Sequence, residues 1–389
     1  MKSGVAFFLF LTLSISSFAQ VKIKSEKDST DLTFSGTKIN PYEVAYDSSG
    51  KLTITGYIDA YFAHYTDSTN AAGYEKFPTE APRNDQFGLN ILQVSAKYTS
   101  RDFRSTITLF GGDCPSSAWS PYLNYVQEAN VGFRLYKRLW IDAGFFRTHI
   151  GLESIQPREN MTLSLATTTY FEPYFLSGAK LTWQHSDRLT IQLNVFNSFN
   201  QFVETNKNKA VGLSIAYAPS ANTSLTFSSL MCDESIPSTT LITLQAPQRR
   251  VYNNLCFTHR TTHWFIGAEA NYGIQQYSQL SNPSKSAYVF SALLAARYRI
   301  THRWSAYLRG ELFNDKNEIL TGPVFNENHA IVGPEIIGLT HGYEYKPIPN
   351  SYVRVEGRVL SNQDGRIFDL GGNPSHLRYE ILLGMGVWF

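Results

Sequence analysis

The fold of this chain is indicated by its final segment, which reads Leu377-Arg378-Tyr379-Glu380-Ile381-Leu382-Leu383-Gly384-Met385-Gly386-Val387-Trp388-Phe389. Every second residue from Leu377 to Phe389 is apolar, and the positions between them are polar or glycine except for Leu382 and Trp388. Successive side chains point to opposite faces of a strand, so this period of two predicts a β-strand with one apolar face. Such a strand occurs in a half-buried soluble sheet or in a barrel surrounded by lipid, and the rest of the chain decides between them.

The beginning of the chain has the pattern of a secretory signal peptide. Met1-Lys2 is followed by a mostly apolar run from Val5 to Ile15 and by Ser17-Phe18-Ala19. This order of basic, apolar and small residues predicts that residues 1–19 are removed on export. Residues 20–50 are polar and mixed in charge, and we predict a flexible periplasmic extension there. No later run of eighteen apolar residues exists that would form a transmembrane helix.

Composition excludes several classes of protein. The chain has 34 Lys and Arg against 32 Asp and Glu, a balance that argues against a nucleic-acid partner. The three cysteines are too few for a disulfide framework, although a bridge between Cys114 and Cys232 stays open beside free thiols. An exported chain with 14% aromatic residues and no apolar helix fits a barrel in lipid better than a soluble domain.

Alternation of polarity recurs along the chain from Leu52 onward. We predict sixteen strands, at about residues 52–62, 86–99, 103–113, 123–136, 139–149, 174–185, 188–199, 208–219, 222–232, 249–260, 263–275, 285–300, 303–315, 331–346, 350–361 and 376–389. Most have the length that a tilted strand needs to cross a membrane.

The segments between these strands alternate in length. Short turns fall near residues 100–101, 137–138, 186–187, 219–220, 261–262, 301–302 and 347–349, with longer segments between them. A meander that crosses a membrane produces this rhythm, whereas a soluble sandwich has no reason to. We therefore predict an all-β protein whose residues 51–389 form a transmembrane antiparallel up-and-down β-barrel of about 16 strands. Short turns would be periplasmic and long loops extracellular.

One face of the predicted strands is apolar and is assigned to lipid. Its aliphatic members include Leu92, Val94, Ala96, Ile107, Leu109, Leu189, Ile191, Leu193, Val195, Ile266, Ala268 and Ala270. Aromatic residues assigned to this face lie near the short turns (Tyr98, Trp183, Tyr217, Trp264, Tyr298, Trp304) and near the opposite ends (Phe62, Phe145, Phe199, Tyr272, Tyr288, Tyr379). Two aromatic bands around an aliphatic zone are typical of a barrel spanning a membrane.

The opposite face carries charges of both signs and is assigned to a wet lumen, because such charges are costly in lipid. We predict as pore-lining wall Asp59, Arg104, Glu128, Arg134, Asp142, Lys180, Arg309, Glu311, Arg354 and Glu356, with Glu269, Arg358, Arg378 and Glu380 on the same face. Sixteen strands leave room for an aqueous channel. Equal numbers of acids and bases predict no ion preference, and the alternative is that these residues brace the wall as ion pairs.

Short motifs along the chain carry a family resemblance. They are Gly56-Tyr57-Ile58-Asp59-Ala60-Tyr61-Phe62, Gln127-Glu128-Ala129, Gly144-Phe145-Phe146 leading to Gly151-Leu152-Glu153, and Glu172-Pro173-Tyr174 before Ser177-Gly178. The chain thereby resembles the OmpL-like β-barrel porins of Bacteroidetes-type bacteria. The resemblance implies an outer-membrane porin that forms a water-filled channel for passive diffusion of small hydrophilic solutes. It supplies no cofactor and no catalytic residue. Outer-membrane lipids would surround it, and porins of this size are commonly homotrimers.

The longest connection, residues 150–173, joins the fifth and sixth predicted strands. In general porins the loop at this position folds inward and narrows the pore, so the resemblance implies a constriction formed by Glu153, Arg158, Glu159 and Asn160. These charges would set a field opposing Arg104 and Arg134 on the wall, and pore width with lining charge would give selectivity. The alternative is a surface loop that caps the barrel.

Catalytic and metal-binding patterns are weak in this sequence, and we predict that the protein is not an enzyme. His259 and His263 have a spacing that pairs metal ligands only on a helix, and a predicted turn separates them. No G-x-S-x-G motif occurs. Two alternatives to a general porin stay open. One is a channel specific for an anion or sugar, bound by Arg104, Arg134 and the long loop. The other is a barrel-borne outer-membrane hydrolase or surface adhesion protein.

Overall fold

The computed structural model describes residues 50–70, 73–75, 77, 79–203, 208–234 and 248–389. The predicted signal peptide, and the predicted extension up to residue 49, lie outside the described residues. Sixteen antiparallel strands close a barrel in chain order, which confirms the predicted fold. They are Lys51–Tyr65 (β1), Gln86–Thr99 (β2), Phe103–Gly111 (β3), Val126–Tyr136 (β4), Leu139–Arg147 (β5), Phe175–Gln184 (β6), Leu189–Phe196 (β7), Ala210–Ser220 (β8), Thr223–Asp233 (β9), Arg249–Arg260 (β10), Trp264–Gln275 (β11), Ala287–Arg299 (β12), Trp304–Asn314 (β13), Glu335–Tyr345 (β14), Ser351–Asn362 (β15) and Leu377–Trp388 (β18).

The remaining elements belong to the connections at one end of the barrel. They are the helices Asp113–Ala118 (α1) and Thr167–Phe171 (α2), a 3-10 turn at Pro157–Glu159, and a hairpin of Phe368–Leu370 (β16) and Asn373–Ser375 (β17). Turns of two to five residues join the strands at the other end. We call these the long-loop end and the short-turn end. No helix in the described part of the chain has the length and apolarity needed to cross a membrane.

The barrel closes where β1 pairs with β18. Asp59 lies opposite Gly386 in this ladder, and the Gly56 N–H donates to the Phe389 carbonyl at 3.1 Å. The Phe389 N–H returns a hydrogen bond of the same length to the Gly56 carbonyl. Every strand of the wall therefore has two neighbours, which satisfies its backbone groups without an open edge.

The two faces of β18 separate as the alternation predicts. Ile381 is 57% exposed on the outside, whereas Arg378 and Glu380 are buried on the inside. Leu382, an exception to the pattern, also points inward and is 1% exposed. The outer surface is thus apolar where it is exposed, which costs little in hydrocarbon but would be unfavourable in water.

Aromatic side chains mark the short-turn end of the outer surface. Trp264 packs on Tyr298 with ring centroids 4.7 Å apart, and Trp304 packs on Tyr345 at 4.8 Å. The outward prediction for Phe199 is wrong, since its side chain is 9% exposed and lies 5.8 Å from the buried Tyr252 ring. Phe199 follows the end of β7, so the period of the strand no longer sets its direction.

All three cysteines are free and buried, so Cys114 and Cys232 are not bridged. Cys114 lies in α1 and Cys232 near the end of β9. Burial raises the pKa of the Cys114 thiol well above its ordinary value. This thiol is therefore a small apolar packing group.

Candidate functional site: the lumen and the loop within it

The connection between β5 and β6 lies inside the barrel. Its residues 150–157 and 159–169 are buried. Leu152 and Met161 cover Gly267 on β11, where an added Cβ would lie 2.9 and 2.7 Å from them. Leu163 covers Gly384 on β18, where the same distance is 2.6 Å. The loop thus packs on the inner faces of distant strands, and the surface-cap alternative does not describe it. We call residues 150–173 the inner loop.

Buried carboxylates hold the backbone of the inner loop. Backbone N–H groups of the loop donate hydrogen bonds to these side chains: Leu152 to Glu269 (2.8 Å), Leu163 and Ser164 to Glu356 (2.6 and 3.1 Å), Thr167 to Glu311 (2.6 Å) and Leu165 to Glu80 (2.8 Å). Irregular backbone away from water needs such partners. The loop is therefore fixed along much of its length.

Arginines of the wall bind carbonyl groups of the same loop. The contacts join Arg309 to Ser164 (2.6 Å) and Leu165 (3.2 Å), Arg354 to Pro157 (2.8 Å) and Thr162 (2.7 Å), and Arg297 to Asn160 (2.9 Å). Donors and acceptors of the loop backbone are thus satisfied by opposite charges on the wall. A guanidinium suits this role because its five N–H groups diverge in a fixed plane.

Three of the four residues predicted to form the constriction hold the loop together. Glu153 pairs with Arg309 at 2.9 Å, and Glu159 with Arg147 at 3.1 Å. Asn160 is fully buried and accepts a hydrogen bond from the Ser154 N–H at 2.7 Å. Burial opposes ionisation of Glu159, but the Arg147 charge outweighs it and lowers the pKa of the carboxyl below its usual value. The negative charges of Glu153 and Glu159 are therefore balanced by ion pairs with neighbouring arginines.

Arg158 is the predicted constriction residue that stays partly exposed. Its guanidinium lies 4.6 Å from the Tyr57 ring centroid and donates to Gln93 at 3.3 Å. The structure does not show the predicted arrangement in which the loop acids oppose Arg104 and Arg134. Arg104 instead binds Asp142 with Nε–Oδ1 at 2.6 Å.

Six of the ten predicted wall residues are buried beneath other groups, one of them being Asp142 in its pair with Arg104. Asp59, Arg309, Glu311, Arg354 and Glu356 are on the inner face, as predicted, and all are buried. The inner faces of β10–β15, β18 and β1 share this property along most of their length, and we call them the covered wall. Arg354 pairs there with Glu344 at 2.8 Å, and Arg358 with Glu311 at 2.7 Å. These groups brace the wall and the loop.

Another part of the wall is partly exposed. It comprises the inner faces of β2–β7 toward the short-turn end, and we call it the open wall. Its partly exposed members include Lys97, Arg104, Glu128, Asn130, Arg134, Trp140, Lys180, Thr182 and Gln192. The lumen is thus divided between a packed side and a side with water-accessible polar groups.

Cation–aromatic contacts order the open wall. The Arg104 and Arg134 guanidinium carbons lie 4.4 and 5.0 Å from the Trp140 ring centroid. Lys180 Nζ lies 3.8 Å from the Phe146 ring centroid, and Lys180 lies opposite Asp142 in the backbone ladder of β5 and β6. Ring faces attract cations, so these contacts hold the charged groups against the wall.

No group of three or more His, Cys, Asp or Glu residues in the described ranges is placed to hold a metal ion. Sequence reasoning missed several partners of the loop and wall, among them Arg147, Arg297, Glu344 and Glu80. The first three lie on strands but were not assigned a role, and Glu80 belongs to the connection between β1 and β2.

A closed barrel with an apolar outside, a charged inside and an inward loop defines a membrane β-barrel of the porin type. The chain belongs to the family described as "Putative beta-barrel porin-2, OmpL-like", which it matches over residues 51–389. This is the family that the strand motifs resembled.

Solved structures share the fold at low identity. The outer membrane channel DcaP of Acinetobacter baumannii is 9% identical, with a TM-score of 0.59 over 88% of this chain and 98% of that chain. The anion-selective porin from Comamonas acidovorans is 11% identical, with a TM-score of 0.57 over 88% of this chain and 100% of that chain. At such identities the likeness shows the fold alone. The comparison with curated proteins found no match.

Proposed function

We propose that the protein is an outer-membrane channel for passive diffusion of small hydrophilic solutes. The observation that carries this proposal is the open wall: partly exposed polar and charged residues on β2–β7, inside a barrel whose outside is apolar. Charged groups keep such exposure inside a membrane barrel only where water reaches them. Membership of a porin family supports the same function, the outer-membrane location and a non-enzymatic role.

In this proposal the inner loop sets the width of the passage. Its packing on the covered wall and its contacts with Gln93 and Gln127 would leave solutes the space beside the open wall, bordered by Arg158. Glu153, Glu159 and Asn160 would contribute indirectly, by holding the loop in shape. Size and lining charge then govern which solutes pass.

Single-channel recording in a planar bilayer tests the proposal. Purified protein should give stable conductance steps, and a variant in which a short Gly-Ser linker replaces residues 152–166 should give larger steps. The control is a variant in which residues 366–375, in the connection between β15 and β18, are shortened. This variant should leave the step size nearly unchanged. Folded protein that inserts but passes neither ions nor sugars would refute a channel and favour the adhesion or hydrolase alternative.

We propose a homotrimer as the assembly to be tested. The support is a structural neighbour, OmpT of Vibrio cholerae, which is described in a trimer form at 8% identity and a TM-score of 0.57 over 88% of this chain and 100% of that chain. Cross-linking in mild detergent, followed by native mass measurement, should give three copies. A single copy at all detergent concentrations would contradict this assembly.

A further inference from the structure

Acidic and basic residues balance on one wall of the lumen but not on the other. Among the described residues, the covered wall holds six buried acids (Asp59, Glu269, Glu311, Glu344, Glu356, Glu380) and six buried arginines (Arg250, Arg297, Arg309, Arg354, Arg358, Arg378). The open wall holds Lys97, Arg104, Arg134 and Lys180 with Glu128 and Asp142. Bases therefore exceed acids on the open wall.

Charges on the covered wall are beyond the reach of a solute. Arg378 pairs with Glu380 at 2.8 Å, and Arg358 bridges Glu311 and Glu380 at 2.7 and 3.4 Å. Buried acids that lack an arginine partner, such as Glu269, bind backbone N–H groups of the inner loop. Opposite charges in contact largely cancel at a distance, so this network contributes little to the potential in the passage.

Cations dominate the surface that a solute would meet. Asp142 is buried and engaged by Arg104, which leaves Glu128 as the partly exposed carboxylate among the described residues of the open wall. Against it stand Lys97, Arg134 and Lys180, with Arg158 contributed by the loop, whereas the charge of Arg104 is largely offset by Asp142. We call Lys97, Arg134, Lys180 and Arg158 the cationic strip.

Donor groups along the strip suit oxyanions and halides. Arg134 Nε is buried without a hydrogen-bond acceptor, and the Asp102 carboxylate near it is 3.8 Å away. Gln192 Nε2 is also without an acceptor, and its residue lies in the same lateral row of the wall, which runs through Trp140 and Thr182. Guanidinium and amide N–H groups on a surface of net positive charge bind anions and repel cations.

We infer that the cationic strip makes the channel select small anions over cations. This inference rests on the proposed function and names its solute class. A narrow lumen with low-dielectric walls focuses the field of the lining charges, so a small net charge changes the local ion ratio strongly.

The test is the reversal potential of single channels under a gradient of potassium chloride. The wild-type channel should pass chloride over potassium by roughly three-fold or more. Lys180→Gln combined with Arg134→Gln should bring this ratio close to unity, whereas Glu128→Gln should raise it. Lys316→Gln is the matched control, because this lysine is half exposed at the long-loop end and its charge pairs with Glu335 outside the strip.

The outcomes separate this inference from the proposed function. Conductance with cation preference, or with a ratio that neither the double variant nor Glu128→Gln moves, overturns the inference and leaves the channel function standing. Absence of conductance from folded wild-type protein overturns both. Should the double variant fail to fold, the rise expected for Glu128→Gln decides alone, since that change removes a partly exposed charge from the strip's surroundings.

Discussion

At the scale of single residues, Gly132 makes room for the ion pair at the centre of the open wall. A Cβ at this position would lie 2.0 Å from Asp142 Oδ1 and 3.1 Å from Arg104 Cγ. The Arg104–Asp142 pair therefore lies across β4 where β4 has no side chain. Glycine is required here by space, since its φ lies outside the left-handed region.

We predict that Gly132→Ala displaces this pair and lowers the free energy of unfolding by about 1–3 kcal/mol, the usual effect of forcing a methyl group into a packed site. Gly310→Ala is the control, because nothing lies within 4 Å of a Cβ there. Urea unfolding followed by tryptophan fluorescence measures both. Equal stability of the two variants would show that the pair yields without strain.

Glu80 is a residue whose ionisation is opposed by its burial beside the inner loop. Burial raises its pKa to about 8, although one of its carboxyl oxygens accepts the Leu165 N–H. The folded protein thus keeps this carboxyl protonated between its ordinary pKa and about 8, where the unfolded chain has lost the proton. The unfolded state then binds fewer protons, so rising pH reduces stability across this window.

We expect Glu80→Gln to remove that slope. Relative to the wild type, the variant should gain stability as the pH rises from 5 to 9, because an amide cannot ionise. Unfolding midpoints at several pH values measure the difference. If the difference in unfolding midpoint between the variant and the wild type is the same at every pH from 5 to 9, Glu80 is ionised throughout that range.

At the scale of elements, the inner loop is held by side chains of the wall through hydrogen bonds to its backbone. Glu356 accepts two consecutive N–H groups, from Leu163 and Ser164. An amide side chain has one acceptor oxygen, so in Glu356→Gln one of the two backbone N–H groups would face the amide NH₂ group instead of an acceptor. The loop would then lose its hold near the seam between β15 and β18.

We predict that Glu356→Gln loosens the loop and exposes the peptide bond after Arg158. Trypsin should cleave folded variant protein there faster than wild-type protein, with fragments identified by mass. Glu335→Gln is the control, because Glu335 lies at the start of β14 and pairs with the half-exposed Lys316. Resistance of the variant equal to that of the wild type would mean that the remaining contacts suffice.

Sequence patterns predicted the strands and most of their faces, and the family resemblance implied an inward loop, but neither gave the contacts of this loop. Alternation is local, so β18 and its neighbours could be assigned from their own residues, and alternating connection lengths gave the topology. Glu153 and Arg309 are separated by 156 positions and belong to no common period. The loop's contacts depend on which wall strands come together after closure, so sequence identified Arg309 and Glu356 as inward-facing without revealing their partners.

At the scale of the whole molecule, stability depends on an outer surface that avoids charge. Leu339 lies near the middle of β14 and is 51% exposed on that surface. Ile348 is 56% exposed but lies in the turn between β14 and β15. The two residues have similar exposure at different depths in a bilayer.

We predict that Leu339→Arg destabilises the barrel by about 2–4 kcal/mol in lipid, whereas Ile348→Arg costs about 0–1 kcal/mol. Reversible unfolding in phospholipid vesicles measures both free energies. Similar values for the two substitutions would contradict the assignment of the mid-strand surface to hydrocarbon.

The reach of the inner loop also has a consequence for biogenesis. Leu163 binds Glu356 across 193 positions, and Leu152 binds Glu269 across 117, so the loop emerges long before its anchors exist. Contacts at such separation form late, after the intervening chain has been ordered. The loop therefore cannot take its final position until β11 and β15, which carry these anchors, have been synthesised and paired. A chain cut short before β15 would lose an anchor of the loop as well as the closure of the barrel.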